Sequence, residues 1–396
     1  MADQREDGIS WTDETWNPVV GCSIVSPACT NCYAMSVAAS IERRQGSASH
    51  YFETTKVVNG KPVWTGNLKL SPNHIINKPL SWQRERRVFV NSMSDLFHEN
   101  MPEEWIDRVF ATMALSPRHT FQVLTKRPER MRLYVSSPET IRRVYSMACD
   151  IALALKLNVT LIARREDAAH APPGPRVFLD TWPLPNVWLG VTAEDQTRAD
   201  ERVPSLLETP AVIRFVSAEP LLGAIDFNRI DIAAWLRHLK GGSSEPSLAP
   251  GPSIGLHPHD PDMRWPLLAP FEHMQSGYTS PGLDWIIVGG ESGPSARPTH
   301  PDWVRSIRDQ CAKAGVAFHF KQWGDLAPVY DRDRDDPDWQ RCAEIADSTP
   351  KGRWMNLAGG HGFHGERVMR FDRIGKKLAG RLLDGAVHDA FPRSPA

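Results

Sequence analysis

No apolar run in this chain of 396 residues approaches the roughly 20 needed to span a bilayer, which excludes a single-helix membrane anchor. The opening residues, 1–13, are polar and acidic and lack the basic-then-apolar layout of a signal peptide, so a cytoplasmic protein is expected. Charge of one sign is also missing. Lys and Arg number 46 against 47 Asp and Glu, so the net charge of −1 provides no global basic field for nucleic acid, only room for a local patch. Cysteine is scarce at six, too few for a disulfide framework in a chain of this size. No internal repeat is present, which sets solenoids and propellers aside.

What is present is a chain of ordinary globular make-up, 41% hydrophobic and 23% charged, long enough for one large α/β domain with insertions. Short β-branched and aromatic runs at 87–91, 120–124, 187–191, 212–216, 285–288 and 317–320 read as buried strands. An opening strand is expected within 15–20. Helical patterns lie between them. Residues 102–115 place Trp105, Ile106, Val109, Phe110 and Met113 on one face, and 301–314 do the same with Val304, Ile307 and Cys311 before stopping at Gly315. Alternating strands and helices predict a mainly parallel sheet, open or closed into a barrel.

The strands end in polar or glycine-rich tips. These are Asn91-Ser92-Met93-Ser94-Asp95, Thr125-Lys126-Arg127, Thr192-Ala193-Glu194-Asp195, Ser217-Ala218-Glu219, Gly289-Gly290-Glu291-Ser292 and Lys321-Gln322-Trp323, while the opening strand leads into Cys22. So many functional tips favour the C-terminal face of a TIM-like (β/α) barrel, partial or complete, over the single crevice of a doubly wound sheet. The barrel is expected over 1–330, with insertions at about 136–185 and 230–282. A C-terminal extension follows over 331–396 and carries a last helix at 373–383. A helix is also expected at 138–157.

Cys22, Cys29 and Cys32 fall within eleven residues with the spacing C-x6-C-x2-C. Thiolates are soft ligands, and a tight loop can bring three of them to one centre. Three cysteines would leave one iron of a 4Fe–4S cluster open to a small molecule. The spacing alone leaves iron–sulfur and zinc both open, the latter completed by a distant ligand. Cys149 and Cys311 read as core residues and Cys342 as a free thiol in a polar tail.

Other candidates are chemical groups on the tips. Asn91, Ser92, Ser94 and Asp95 could hold an amino-acid or ribose group, or simply cap a helix. Glu219 and Asp95 are the candidate acid/base groups, and Gly289 and Gly290 would let backbone N–H groups approach a ligand. Lys126, Arg127, Arg130, Lys321 and Gln322 could form a phosphate-facing rim, although solvated charge is the commoner role of such residues. Trp323 and Phe97 could stack on a base or belong to the core. His257, His259, His361 and His364 are weaker metal candidates. No nucleophile–base pair supports hydrolase or transferase chemistry.

The same blocks resemble a known family, the phage-associated three-cysteine-motif proteins, which look like radical SAM enzymes. The likeness runs through Trp11-Thr12-Asp13, Thr15-Trp16-Asn17-Pro18 and the cysteine loop, then Val90 to Phe97 and Val123 to Pro128. It continues through Asn186 to Val191, Ser217 to Gly223, Val288 to Gly293, Phe320 to Gly324 and Gly375 to Arg381. The resemblance implies a partial or complete TIM-like barrel, a 4Fe–4S cluster on Cys22, Cys29 and Cys32, and S-adenosylmethionine at the open iron. The candidate cofactor-binding residues are then the tip groups Asn91, Ser92, Ser94, Asp95 and Glu219, together with Gly289, Gly290, Glu291 and Ser292, whose Gly-Gly-Glu resembles the one that binds the methionine amine in many radical SAM enzymes. The implied reaction begins with one electron, from a separate donor, entering the sulfonium to release a 5′-deoxyadenosyl radical. A nucleotide or nucleic-acid substrate follows from the phage association. The usual radical SAM loop has an aromatic just before its last cysteine, whereas here Asn31 precedes Cys32 and Tyr33 follows it. Two further features differ from the usual pattern: the first cysteine gap is six residues, and Gly289-Gly290-Glu291 follows a late strand. They favour the alternative, a non-catalytic zinc- or cluster-stabilised barrel that binds nucleic acid or a protein partner.

Overall fold

The computed structural model describes residues 9–44, 49–162, 176–178, 181–230, 282–332, 352–360 and 368–393. The four candidate histidines, Cys342 and most of the second insertion lie outside them.

The protein is mixed α/β. Its main sheet has seven strands: β1 (Glu14–Trp16), β2 (Arg87–Val90), β3 (Thr120–Thr125), β4 (Val187–Thr192), β5 (Arg214–Ala218), β6 (Trp285–Gly289) and β7 (Ala317–Gln322). They follow one another in the sheet in chain order. A doubly wound sheet would reverse direction once, because its helices cover both faces from a central start; this order contains no reversal. Each expected strand is present to within two residues at either end. The opening one is split by Asn17-Pro18 into β1 and a two-residue strand, Val19–Val20, which pairs antiparallel with Lys69–Leu70.

Two compact units make up the chain. One comprises Met1–Thr192 with Thr209–Phe215 and Arg393–Ala396, the other Ala193–Glu208 with Val216–Pro392. In the first, β1 pairs parallel with β2, β2 with β3 and β3 with β4. All six residues of β4 are buried, the continuous apolar pattern of a parallel strand covered on both faces. Helix α1 (Tyr33–Arg43) begins directly after Cys32. Helix α2 (Glu103–Ala114) starts after extended Pro102, carries Glu103 and Glu104 in its first turn, and buries Ile106, Val109, Phe110 and Met113. Helices α3 (Pro128–Ser136) and α4 (Pro138–Ala154) follow β3.

Asp107 of α2 is a buried anchor for both of them. It accepts hydrogen bonds from Tyr134 Oη of α3 at 2.6 Å and from Arg143 Nε of α4 at 2.7 Å. Cys149, expected in the core, is exposed. The packed face of α4 runs through Val144, Tyr145, Ala148, Ile151 and Ala152, and Cys149 is displaced from it.

In the second unit β6 pairs parallel with β7, and all five residues of β6 are buried. Helix α5 (Gln196–Glu208) precedes β5, and α6 (Pro301–Ala314) ends at Gly315 with φ 70°, the left-handed stop expected there. The expected C-terminal helix at 373–383 is corrected. Leu326–Arg332, Val368–Arg373 and Gly352–Asn356 form an antiparallel sheet, and helix survives only at Lys376–Ala379. Gly375 and Gly380, both at positive φ, bracket that single turn and stop it from extending. No helix among the described residues is long and apolar enough to cross a membrane.

Candidate functional site

The cysteine loop leaves the β1 end and is tied down from both sides. Gly21 N donates to Met93 O at 3.1 Å, and Gly21 forms a parallel bridge with Ser94 just beyond β2. Gly66 N donates to Cys22 O at 3.1 Å. Gly21 has φ 95°, and a Cβ there would meet Asn67 O at 2.0 Å, so only glycine fits before Cys22. A 3-10 turn, Pro27–Asn31, carries Cys29 and delivers Cys32 to the start of α1. Cys29 is buried, with Ser26 Oγ 3.8 Å from its sulfur; Cys22 and Cys32 are half-buried. Burial pushes the Cys22 thiol up to about 12, with the Asp95 carboxylate adding to the effect and Arg127 opposing it. Burial raises Cys32 as well.

Arg127, at the β3 tip, points into this loop and not outward as a phosphate rim would require. Its side chain is 10% exposed. Nη1 donates to Asp95 Oδ2 at 3.0 Å and lies 4.0 Å from Cys22 Sγ. Nη2 donates to Ser23 Oγ at 2.6 Å, and Nε to Glu99 Oε2 at 2.5 Å. Ser23 Oγ in turn donates to Glu99 Oε1 at 2.9 Å. His98 Nδ1 accepts from Asn100 N, so the neutral ring carries its proton on Nε2 and donates it to Ser23 Oγ at 2.8 Å. Burial and the nearby Arg127 lower the His98 pKa, which keeps that ring neutral. Burial opposes ionisation of Glu99, yet hydrogen bonds from Arg127 and Ser23 override it and hold the carboxyl down at about 2.

Asp95 organises the tips. Oδ1 accepts from Thr125 Oγ1 at 2.6 Å and Phe97 N at 3.0 Å, and Oδ2 accepts from Lys126 N at 2.9 Å besides Arg127. With both oxygens so occupied, its geometry is that of a structural carboxylate more than of a base. Lys126 Nζ donates to Thr192 Oγ1 at 2.9 Å. Arg130 donates to Met101 O. Asn91 sits in the left-handed region at φ 60° and is buried; its Oδ1 accepts from Val19 N at 3.3 Å, while Nδ2 has no partner. Ser94 Oγ is likewise buried without a partner. Ser92 Oγ donates to Asn17 Oδ1 at 3.1 Å. No helix starts at this tip, since α2 begins only at Glu103. Phe97 is fully buried against Phe110 and Tyr134 and offers no face for a base.

The second unit holds the other candidates. Lys321 Nζ and Glu219 Oε1 form an ion pair at 2.5 Å, so neither stands as a free group. A Cβ on Gly289 would come within 3.1 Å of the Glu219 carboxyl carbon, and one on Gly290 would meet Trp323 O at 1.9 Å. Gly290 therefore serves a close backbone approach, with its N–H donated to Gln322 O at 2.8 Å. Glu291 is buried and clamped by Arg297, at 2.6 Å from Nη2 and 2.9 Å from Nε, with a further bond from Arg297 N. Gln322 Nε2 is 3.4 Å from Ser292 Oγ. Trp323 is buried beside Phe320 and donates Nε1 to Leu382 O, which removes it as a stacking surface.

Among the described residues, no group of three or more His, Cys, Asp or Glu side chains is placed to hold a metal ion. The donor chemistry of the cysteine loop still fits a soft metal: three thiols lie within one eleven-residue segment, the first of them 4.0 Å from a half-buried guanidinium. Ser23, His98 and Glu99 were not expected from sequence. Ser23 is the neighbour of Cys22, and His98-Glu99 directly follow the Asn91–Phe97 block, but nothing in the spacing ties them to Arg127.

The fold and site define an α/β protein with a sequentially ordered parallel sheet and a cysteine loop set among its strand ends. A family described as "Protein of unknown function (DUF5131)" matches residues 6–392, and the chain belongs to that family. No curated protein and no solved structure matches it.

Proposed function

We propose that the protein is a radical SAM-type iron–sulfur enzyme, built on a partial (β/α) barrel, that modifies or repairs a nucleotide or nucleic acid in a reduced cytoplasmic compartment. The observation that carries the reading is the loop bearing Cys22, Cys29 and Cys32, which Gly21, Ser23 and Arg127 tie to the ends of β2 and β3. Cys22, Cys29 and Cys32 would hold the cluster, with S-adenosylmethionine as its co-substrate. When bound, that pair supplies a one-electron reduction of the sulfonium and a 5′-deoxyadenosyl radical for hydrogen abstraction, the electron coming from a separate donor. The chain's own part is to bind and orient. The tip beyond β2, which bears Asn91, Ser92 and Ser94, would lie beside the bound pair, since Gly21 bridges to Ser94 directly before Cys22. The phage association of the resembling proteins supports the substrate class.

Anaerobically reconstituted protein, reduced with dithionite in the presence of S-adenosylmethionine, should release 5′-deoxyadenosine. Cluster-replete protein that releases none would refute catalysis.

One observation favours the alternative, a non-catalytic zinc- or cluster-stabilised module that binds nucleic acid or a protein partner. Glu291, which would receive a methionine amine in a Gly-Gly-Glu motif, is occupied by Arg297. That module would carry stoichiometric zinc or an inert cluster and would give no heat on titration with S-adenosylmethionine.

A further inference from the structure

Arg127 differs from the other tip cations in what it faces. Four of its donor contacts go to Asp95, Glu99, Ser23 and Cys22, all in or against the cysteine loop. An arginine with so little exposed surface is costly to hold unless its charge is matched. Two carboxylates match it, and the Nη1 that meets Asp95 at 3.0 Å also lies 4.0 Å from the Cys22 sulfur. A metal-bound thiolate at position 22 would therefore bring a further negative charge beside Asp95 and Glu99, with the guanidinium between. The arrangement is also rigid. Thr125 Oγ1 accepts from Arg127 N at 2.9 Å, and Asp95 holds Thr125 and Lys126, so the β3 tip fixes the arginine before it reaches the loop.

We propose that Arg127 is the positioning residue of this centre: it fixes Ser23 and donates to the Cys22 sulfur, offsetting the negative charge that a metal-bound thiolate adds beside Asp95 and Glu99. The inference rests on the metal-holding role proposed for the cysteine loop. Partners just outside a metal's ligands typically change affinity by about tenfold or more when removed.

The test is an EPR-monitored redox titration of the reconstituted full chain and of three variants. Arg127→Gln should lower the ratio of reduced to oxidised cluster at a fixed potential about tenfold, or about 59 mV for a one-electron couple. Arg127→Lys keeps the charge and should stay closer to the parent. Glu99→Gln removes a negative charge and should shift the ratio the other way. Its side chain is 55% exposed, so this variant folds even where Arg127→Gln does not. Potentials in Glu99→Gln, and in Arg127→Gln where it folds, that equal the parent's overturn the proposal. If the parent forms no cluster, the radical-enzyme reading fails separately, and cobalt(II) titration, followed by thiolate charge-transfer absorbance, tests Arg127 instead. Binding about tenfold weaker in Arg127→Gln supports the positioning role. Equal cobalt affinities, or a parent chain that binds neither iron nor cobalt, overturn it.

Discussion

Alanine at Gly21 and alanine at Gly66 separate two costs that the cysteine loop imposes on its backbone. Both glycines have positive φ, 95° and 89°, so any L-residue there is strained by about 1–2 kcal/mol. Both also flank Cys22 in the hydrogen-bond pattern, Gly21 as its neighbour in sequence and Gly66 as donor to its carbonyl. They differ in surroundings. A Cβ on Gly66 meets nothing within 4 Å, whereas one on Gly21 would lie 2.0 Å from Asn67 O, a backbone atom that cannot rotate away. Relieving that overlap adds about 1–3 kcal/mol, typical of over-packed sites. Gly21→Ala should thus destabilise by about 2–5 kcal/mol and Gly66→Ala by only the first part. Urea unfolding followed by tryptophan fluorescence measures the difference, and metal content after reconstitution shows whether the loop survives. Equal midpoints for the two variants would refute the close-approach argument for Gly21.

Other predictions follow from the same contacts. Glu99 has a depressed folded-state pKa, so its contribution is complete above about 4.5, the ordinary carboxyl value, and is lost as pH falls toward 2. Exchange protection of the loop amides should decline across that acid window in the parent and less in Glu99→Gln. Because Glu99 is a half-exposed partner, the effect is about 1 kcal/mol and shrinks in high salt. Tyr134→Phe leaves one oxygen of buried Asp107 short of a donor and should cost about 1–3 kcal/mol in thermal or urea unfolding. Cys311, which is buried and pushed up to about 12 by burial, should resist alkylation in the native protein, whereas exposed Cys149 should react, as mass spectrometry of iodoacetamide-treated protein would show.

Much of the scaffold was legible because local pattern decides it. The strand runs are β-branched and continuous, and α6 is framed by Pro301 and Gly315, so their identity depends little on tertiary context. Residues 373–383 misled because their apolar spacing suits a helix, while the two positive-φ glycines inside the segment decide otherwise. Cys149 misled for a related reason, since a slight rotation of α4 changes which side of an apolar stretch is buried. In the candidate site, the cysteines could be picked out as a cluster because they are neighbours in sequence. The Arg127 network could not. It joins residues about 30 and 100 positions apart, and an arginine that turns inward to two carboxylates reads the same in sequence as one that faces solvent. Phe97 and Trp323 show the converse, aromatic tips that the core absorbs.

The proposed function rests on an open-iron cluster at the cysteine loop. Its most direct test is the EPR spectrum of the anaerobically reconstituted, reduced protein with and without S-adenosylmethionine. The expected result is a 4Fe–4S signal that shifts when S-adenosylmethionine is added and is absent from Cys29→Ala. Zinc in place of iron, or a cluster signal indifferent to S-adenosylmethionine, would contradict it.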